Sequence, residues 1–159
     1  AEPTSLMVLP DFAPSGPPLH SLGERGAIVG LTLRSTRGEV IKALLEGACY
    51  YLAHGQALLE AAGIRIEVYR VTGGGARSDR WLQLACDVLG VPVERCALLD
   101  ATAYGAALLA GVGIGAYASA REAAAQTVRV TSRYEPDARR HAIYAEKLER
   151  YRTLWDKLQ

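Results

Sequence analysis

The stretch from Arg70 to Asp79, "RVTGGGARSD", places three consecutive glycines between an apolar run and the start of a helix. Glycine loses more backbone freedom on folding than any other residue, at a cost of roughly 0.5–1 kcal/mol relative to alanine inside a regular element. Three glycines at such a point predict a backbone that another group must approach closely. The segments on both sides of the turn decide which fold presents it.

The segments around the glycines alternate between helical and extended patterns. Thr36 and Glu39 have the spacing of a capping box, and a helix is predicted from there to about Ala62. "IEVYRVT" predicts a buried strand that ends at the glycines, Ser78 can cap a second helix that Gly90 ends, and "VPVER" predicts another strand. The apolar residues of the first helix recur on one face, at Val40, Ile41, Leu44, Leu45, Ala48 and Leu52.

The alternation continues to the end of the chain. "LLDATAYGAALLAGVGIG" predicts a third helix, capped by Asp100 or Thr102, and Ser119 with Glu122 forms a capping-box pair before a short helix. "TVRVT" predicts an extended stretch, and residues 137–157 predict a final amphipathic helix. This order predicts an α/β fold in which helices cover a mainly buried sheet.

Length and composition predict one domain over residues 1–159. With 159 residues, of which 50% are hydrophobic and 22% charged, the chain can bury one substantial core. Residues 1–35 are predicted to be a loop and strand segment that leads into the helices. Within it, residues 10–24 should be irregular because prolines interrupt them at positions 10, 14, 17 and 18.

Charge and cysteine usage exclude several classes of function. A formal net charge of +1, with no long run of like charge, provides no footprint for nucleic acid or an anionic membrane. The three cysteines and three histidines lack metal-ligand spacing, which favours a reducing cytoplasm and predicts no metal site. No signal-peptide pattern opens the sequence, and no apolar run reaches the roughly 18 residues of a membrane span, so the protein is expected to be soluble.

The glycines stand where a ligand is expected, because α/β sheets bind ligands at the carboxyl ends of their strands and a helix N-terminus presents free N–H groups. Taken alone, they leave nucleotide contact and a purely structural turn equally open. Gly73, Gly75 and Ser78 occupy the glycine positions of a dinucleotide fingerprint, with serine at the third. Glu94 lies at the distance expected for a ribose-binding acid, so a dinucleotide-binding oxidoreductase module is one alternative.

Three stretches in series resemble the carboxyl-terminal lobe of the FGGY carbohydrate kinases, the family of xylulokinase and glycerol kinase. They are "RGAIVGLTLRSTRGEVIKALLEGACYYL", "RVTGGGARSDRWLQLACDVLGVPV" and "DATAYGAALLAGVGIG". The resemblance implies an actin-like, ribonuclease H-like ATPase lobe, with a mixed sheet flanked by helices. Two such lobes close over a cleft in which ATP phosphorylates a sugar hydroxyl. The stretch "RYEPDARRHAIYAEKLERYRTLW" resembles the xylulokinase branch most, which implies xylulose or a related pentose or polyol.

The same resemblance assigns individual residues. The family's E-A-(S/T)-A-L-G-A-A stretch falls on residues 100–107, where Asp100 replaces glutamate and Tyr104 replaces leucine. Asp100 is expected to cap its helix. Arg77 could reach a phosphate of the bound nucleotide. The adenosine-binding motif and its edge fall on Gly73, Gly74, Gly75, Ala76, Arg77 and Ser78.

The family's phosphate loop, catalytic aspartate and most sugar contacts belong to segments that do not occur in this sequence. We therefore predict no catalytic residue and no metal ligand here, with Mg²⁺ ligands expected mainly from an amino-terminal lobe that acts as a partner. The chain should bind ATP but be inactive alone. A non-enzymatic actin-like interaction domain is a further alternative, and the oligomeric state is open, with a homodimer among the assemblies allowed.

Overall fold

The computed structural model describes residues 2–13, 26–98 and 100–158 of the chain. The mixed α/β architecture expected from the sequence is confirmed, with helices packed around short strands. The elements, in chain order, are β1 (Met7–Leu9), β2 (Ala27–Val29), α1 (Arg37–Ala61), β3 (Tyr69–Val71), α2 (Asp79–Leu89), β4 (Val93–Cys96), α3 (Ala101–Gly113), α4 (Ala120–Thr127), β5 (Val130–Tyr134) and α5 (Ala138–Leu158).

Five strands form two sheets in the described part of the chain. β1 and β2 make an antiparallel pair. In the second sheet β4 lies in the centre, parallel to β3 and antiparallel to β5. Glu94 of β4 forms ion pairs with Arg70 of β3 at 3.0 Å and with Arg133 of β5 at 2.7 Å. The hydrogen bonds from Arg70, which has the larger effect, and from Arg133 lower the pKa of Glu94. They also join all three strands across one face of the sheet.

Two predicted strands have different bounds in the structure. The strand expected over "IEVYRVT" is limited to β3, and it is half-buried rather than buried. Its pairing begins where Tyr69 donates to the carbonyl of Pro92, and residues 64–68 have no ladder partner among the described strands. β5 begins at Val130, three residues later than "TVRVT" suggested, because Thr127 still belongs to α4.

Helix α1 begins as predicted and buries a different face. Thr36 accepts from the backbone N–H of Glu39, whose side chain accepts from the backbone of Thr36, so the capping box is confirmed. Ile41, Leu44 and Leu52 of the predicted apolar face are exposed. The buried face consists of Ala43, Glu46, Gly47, Cys49, Tyr50 and Ala53, because β1, α2 and α5 all pack on that side.

A buried carboxylate joins α1 to the start of the chain and to α5. Glu46 is fully buried and accepts from the backbone N–H of Thr4 at 3.1 Å and from its hydroxyl at 3.0 Å. The Tyr144 hydroxyl donates to the same carboxylate at 3.2 Å, and the ammonium groups of Lys42 and Lys147 lie 3.6 and 3.7 Å away. The surrounding core combines apolar residues with the rings of Tyr50, Tyr144 and Tyr151.

Helices α3 and α4 also begin at predicted caps. Asp100, rather than Thr102, caps α3 by accepting from the backbone N–H of Ala103 at 3.3 Å. Ser119 caps α4, but the Glu122 carboxylate accepts from the N–H of Ala118 instead of closing the predicted box. None of the helices in the described ranges is both long and apolar enough to cross a membrane.

The predicted irregular segment over residues 10–24 falls mostly outside the described residues. Pro10 to Ala13 follow β1 without forming a helix or a strand, and Pro14, Pro17 and Pro18 lie beyond the described range. On either side of this segment, β1 and β2 pair with each other.

We expect Glu46→Ala to lower the free energy of unfolding by about 3–5 kcal/mol, because it leaves buried donors and the Lys147 ammonium without their partner. Chemical denaturation monitored by circular dichroism measures this change. The matched control is Glu60→Ala on the same helix, which removes an exposed carboxylate and should change stability by less than about 0.5 kcal/mol. Equal effects of the two substitutions would contradict a special role for the buried carboxylate.

The close approach of β1 to α1 predicts that alanine substitutions at two glycines of this helix change stability differently. A Cβ added at Gly47 would lie 2.5 Å from the backbone oxygen of Val8, whereas one added at Gly38 would lie 4.0 Å from the Thr36 hydroxyl. Gly47→Ala should therefore destabilise the protein by about 1–3 kcal/mol, and Gly38→Ala should be neutral or stabilising by up to about 1 kcal/mol. Thermal and denaturant melts of both variants provide the comparison.

Candidate functional site

The glycine turn lies between the carboxyl end of β3 and the start of α2. After Thr72, a short 3-10 turn covers Gly74–Arg77, and Ser78 caps α2 by accepting from the backbone N–H of Trp81 at 3.3 Å. The turn is closed by backbone hydrogen bonds from Ala76 to Gly73 and from Ser78 to Gly75, each 3.2 Å long. The strand-turn-helix arrangement expected from the sequence is therefore present.

Each of the three glycines meets a different requirement. Gly73 has a φ of +86°, in the region that side chains disfavour. A Cβ on Gly74 would meet no atom within 4 Å, so its backbone faces open space. A Cβ on Gly75 would lie 2.6 Å from the Trp81 ring, so this glycine makes room for the indole. Only the first two leave backbone surface open for a ligand.

The other predicted site residues divide into a buried and an exposed group. Ala76 is buried and anchors the turn in the core, whereas Arg77 and Ser78 are exposed. Among the residues that the structure describes, none forms an ion pair with Arg77. The six predicted residues thus form one continuous turn, with Gly73, Gly74 and Arg77 on its accessible side.

Two cavities meet at Thr72, directly before this turn; Gly75 and Ala76 line the smaller one, and Thr72 alone connects the larger one to the turn. The larger one, of about 390 Å³, lies between the ends of β3 and β4 and the first half of α3. Its wall is largely apolar, with polar groups from a few side chains, which is typical of a site for a small organic ligand. The smaller one, of about 160 Å³, lies between α1, the turn and Trp81. Side chains around the larger cavity include Thr72, Cys96, Tyr104, Leu108, Thr127 and Arg129.

Sequence reasoning missed Thr72 as a member of the site. Its position directly after β3 and before the glycines is the signal that could have identified it, because residues at the carboxyl end of a strand line the ligand crevice. Tyr104, which departs from the family pattern, also lines the larger cavity. Asp100 caps α3 beside this cavity and does not appear in its wall.

A polar network supports the turn from the side of the sheet. Arg95 of β4 donates to Asp79 at 2.6 Å, to the Ser132 hydroxyl at 2.8 Å and to the carbonyl of Ala76 at 3.4 Å. The Tyr134 hydroxyl also donates to Asp79, at 2.8 Å. The hydrogen bonds from Tyr134 and Arg95 lower the pKa of the Asp79 carboxyl, which therefore stays ionised at neutral pH.

Glu94, the acid that the dinucleotide alternative requires to bind a ribose, is already paired within the sheet. Both oxygens of Glu94 are engaged by Arg70 and Arg133 on the neighbouring strands, so this carboxylate serves the sheet. Among the described residues, no group of three or more His, Cys, Asp or Glu side chains is placed to hold a metal ion. The accessible surface of the turn is backbone at Gly73 and Gly74, and the wall of the larger cavity is largely apolar.

Cys49, Cys86, His54 and His141 occupy packing positions. Burial raises the pKa of Cys49 to about 12 and that of Cys86 to about 11, so both thiols stay protonated at neutral pH. Burial also lowers the pKa of His54, whose ring packs edge-on against Trp155. His141 lies with Nδ1 3.0 Å from the carbonyl of Asp87.

Comparison with known proteins identifies relatives of this chain. The model of the C-terminal domain of the FGGY family of carbohydrate kinases matches residues 1–114. A glycerol kinase from Caldanaerobacter subterraneus is 36% identical over 151 residues, which cover 94% of this chain and 29% of that protein. The chain thus spans less than a third of the length of this relative.

Solved structures support the same relationship. The crystal structure of xylulose kinase from Rhodospirillum rubrum matches 96% of this chain and 30% of its own, with a TM-score of 0.78 and 27% identity. Plasmodium falciparum glycerol kinase, solved with ADP, matches 99% of this chain and 31% of its own, with a TM-score of 0.75. At 23% identity this second likeness shows the fold alone.

The predicted actin-like ATPase fold, with a mixed sheet flanked by helices, is confirmed by these neighbours. The family model covers well over half of the chain, and the relatives agree with it along nearly its whole length. This chain belongs to the FGGY family of carbohydrate kinases and carries its C-terminal domain.

Proposed function

We propose that this chain is the nucleotide-binding lobe of a kinase that transfers the γ-phosphoryl group of ATP to a hydroxyl of a sugar or polyol. The observation that carries the proposal is the open backbone of Gly74, two residues after Thr72, which lines the 390 Å³ apolar cavity at the carboxyl ends of β3 and β4. Membership of the FGGY family and the ADP named with the Plasmodium relative support it. We extend the lobe to the full 1–159 range, beyond the matched residues 1–114.

The lining of the site suits adenosine. The flat aromatic ring of adenine would fit the larger cavity against Tyr104 and Leu108, with Thr72 available to hydrogen-bond one of its nitrogens. The ribose would lie against Gly73 and Gly74, where a side chain would block it. Phosphates would extend toward the exposed Arg77 and the N–H groups at the start of α2.

The rest of the reaction is assigned to parts of the protein outside this sequence. Bound Mg²⁺ neutralises charge that develops on the transferred phosphoryl group, and its ligands are expected mainly from the amino-terminal lobe. The same lobe would supply the base for the attacking hydroxyl. Exposed apolar side chains support a covering partner, since Leu44 and Leu52 of α1 and Leu109 of α3 are exposed and no residue of α3 is buried.

The acceptor is proposed as a small polyol or pentose. The sequence favoured xylulose, and the relatives include enzymes named glycerol kinase and xylulose kinase, so these two substrates come first in any assay. A cytoplasmic location forms part of the proposal and is supported by three buried free thiols. A homodimer remains a prediction that sedimentation equilibrium would test.

Gly74→Val should weaken ADP binding at least tenfold while the domain stays folded, because the added branch enters open space in the protein and occupies the surface proposed for adenosine. Isothermal calorimetry with ADP measures the change. Gly113→Val serves as the matched control, since Gly113 also has open space around it but lies at the far end of α3.

Three results would contradict this assignment of the turn. Equal ADP affinity of the Gly74 variant and the wild type would remove the turn from the site. Tighter binding of NAD than of ADP would favour the dinucleotide module. Complete absence of a nucleotide response would favour a non-enzymatic interaction domain.

We expect no sugar-dependent turnover from the 159-residue chain alone, because alignment of the hydroxyl with the γ-phosphate and exclusion of water require closure of two lobes. Adding the amino-terminal lobe of the same protein, covalently or in trans, should restore Mg-ATP-dependent phosphorylation. A coupled ADP-release assay over glycerol, xylulose and related acceptors provides the test. Turnover by the isolated chain would show that catalytic residues lie within this sequence.

A further inference from the structure

Arg95 connects the central strand of the sheet to the glycine turn. Its Nη1 donates to Asp79, the first residue of α2, and to the carbonyl of Ala76 inside the turn, while its Nη2 donates to Ser132 on β5. The side chain is 23% exposed, so these contacts are shielded in part from water. One rigid, planar guanidinium therefore touches the sheet, the turn and the helix start together.

Asp79 receives a second support from β5. The Tyr134 hydroxyl and the Arg95 guanidinium donate to the same carboxylate oxygen, at 2.8 and 2.6 Å. This triad of Arg95, Asp79 and Tyr134 ties the first residue of α2 to two neighbouring strands. The other tertiary supports of the turn are apolar, namely the buried methyl group of Ala76 and the Trp81 ring against Gly75.

A turn with three glycines needs such support if it binds a ligand. Free glycines sample many backbone conformations, and the apparent dissociation constant rises in inverse proportion to the population of the binding-competent conformation. The apolar contacts at Ala76 and Gly75 hold the turn against the core, but they donate no hydrogen bond to its carbonyls. Arg95 supplies that directional contact at Ala76.

We propose that Arg95, held by Asp79 and Tyr134, is a positioning residue that pre-organises the glycine turn for adenosine. It acts through the backbone of the turn and does not touch the nucleotide. This inference rests on the proposed function, because it concerns affinity at the same turn.

The test compares Arg95→Met with Arg70→Met in the 159-residue chain. Both substitutions remove one positive charge and one ion pair from the same sheet, but Arg70 pairs with Glu94 and makes no hydrogen bond to the turn. Calorimetry should show ADP binding about tenfold weaker for Arg95→Met and within about twofold of wild type for Arg70→Met. Ligand-free hydrogen exchange should be faster at the amides of residues 74–78 in Arg95→Met only.

The outcomes separate this inference from the function on which it rests. Wild-type protein that fails to bind ADP contradicts the proposed function, and the exchange measurement then still decides whether Arg95 orders the turn. Wild-type binding together with equal affinities and equal exchange rates for the two methionine variants overturns the positioning role. If Arg95→Met does not fold, Arg95→Lys replaces it. A lysine cannot reach Asp79 and Ser132 together, so affinity should fall partway, and unchanged affinity with unchanged exchange would again overturn the role.

Discussion

The arrangement of the described helices depends on the buried carboxylate of Glu46. A charge without water is tolerated only when hydrogen bonds and opposite charges surround it, so Thr4, Tyr144 and Lys147 must all be held around this one side chain. That requirement brings the segment before β1 and the last helix onto α1. Helix α2 packs against both α1 and α5, and the glycine turn immediately precedes it.

The packing of α2 against α1 and α5 also positions the glycine turn, because the turn leads directly into the start of α2. Gly73 supplies an unusual backbone angle, Gly74 leaves surface open, and Gly75 admits the Trp81 ring that fixes the turn against the core. Conformation, access and anchoring are thus divided among three identical residues. The division explains why a run of glycine, costly in backbone entropy, can still form one defined structure.

The FGGY relatives are much longer than this chain, which carries only their C-terminal domain. The described residues provide an apolar cavity, an open turn and a helix N-terminus, which are binding features. The chain matches less than a third of its glycerol kinase relative. Apolar side chains on α1 and α3 are exposed. Phosphoryl transfer requires positioned metal, base and acceptor in addition.

The sequence by itself determined the features that depend on residues close together along the chain. Caps at Thr36, Ser78 and Asp100, the alternation of helix with strand and the position of the turn all rest on contacts within a few residues. Family motifs added the fold.

Only the tertiary structure decided which face of α1 is buried, where β3 begins, and that Arg95 supports the turn. Leu52 is exposed because β1, α2 and α5 pack on the opposite side of its helix, and β3 begins at Tyr69 because its partner strand begins there. The Tyr134 hydroxyl reaches Asp79 across 55 positions of sequence. Burial and side-chain networks join residues that the chain brings together only on folding, so no local pattern encodes them.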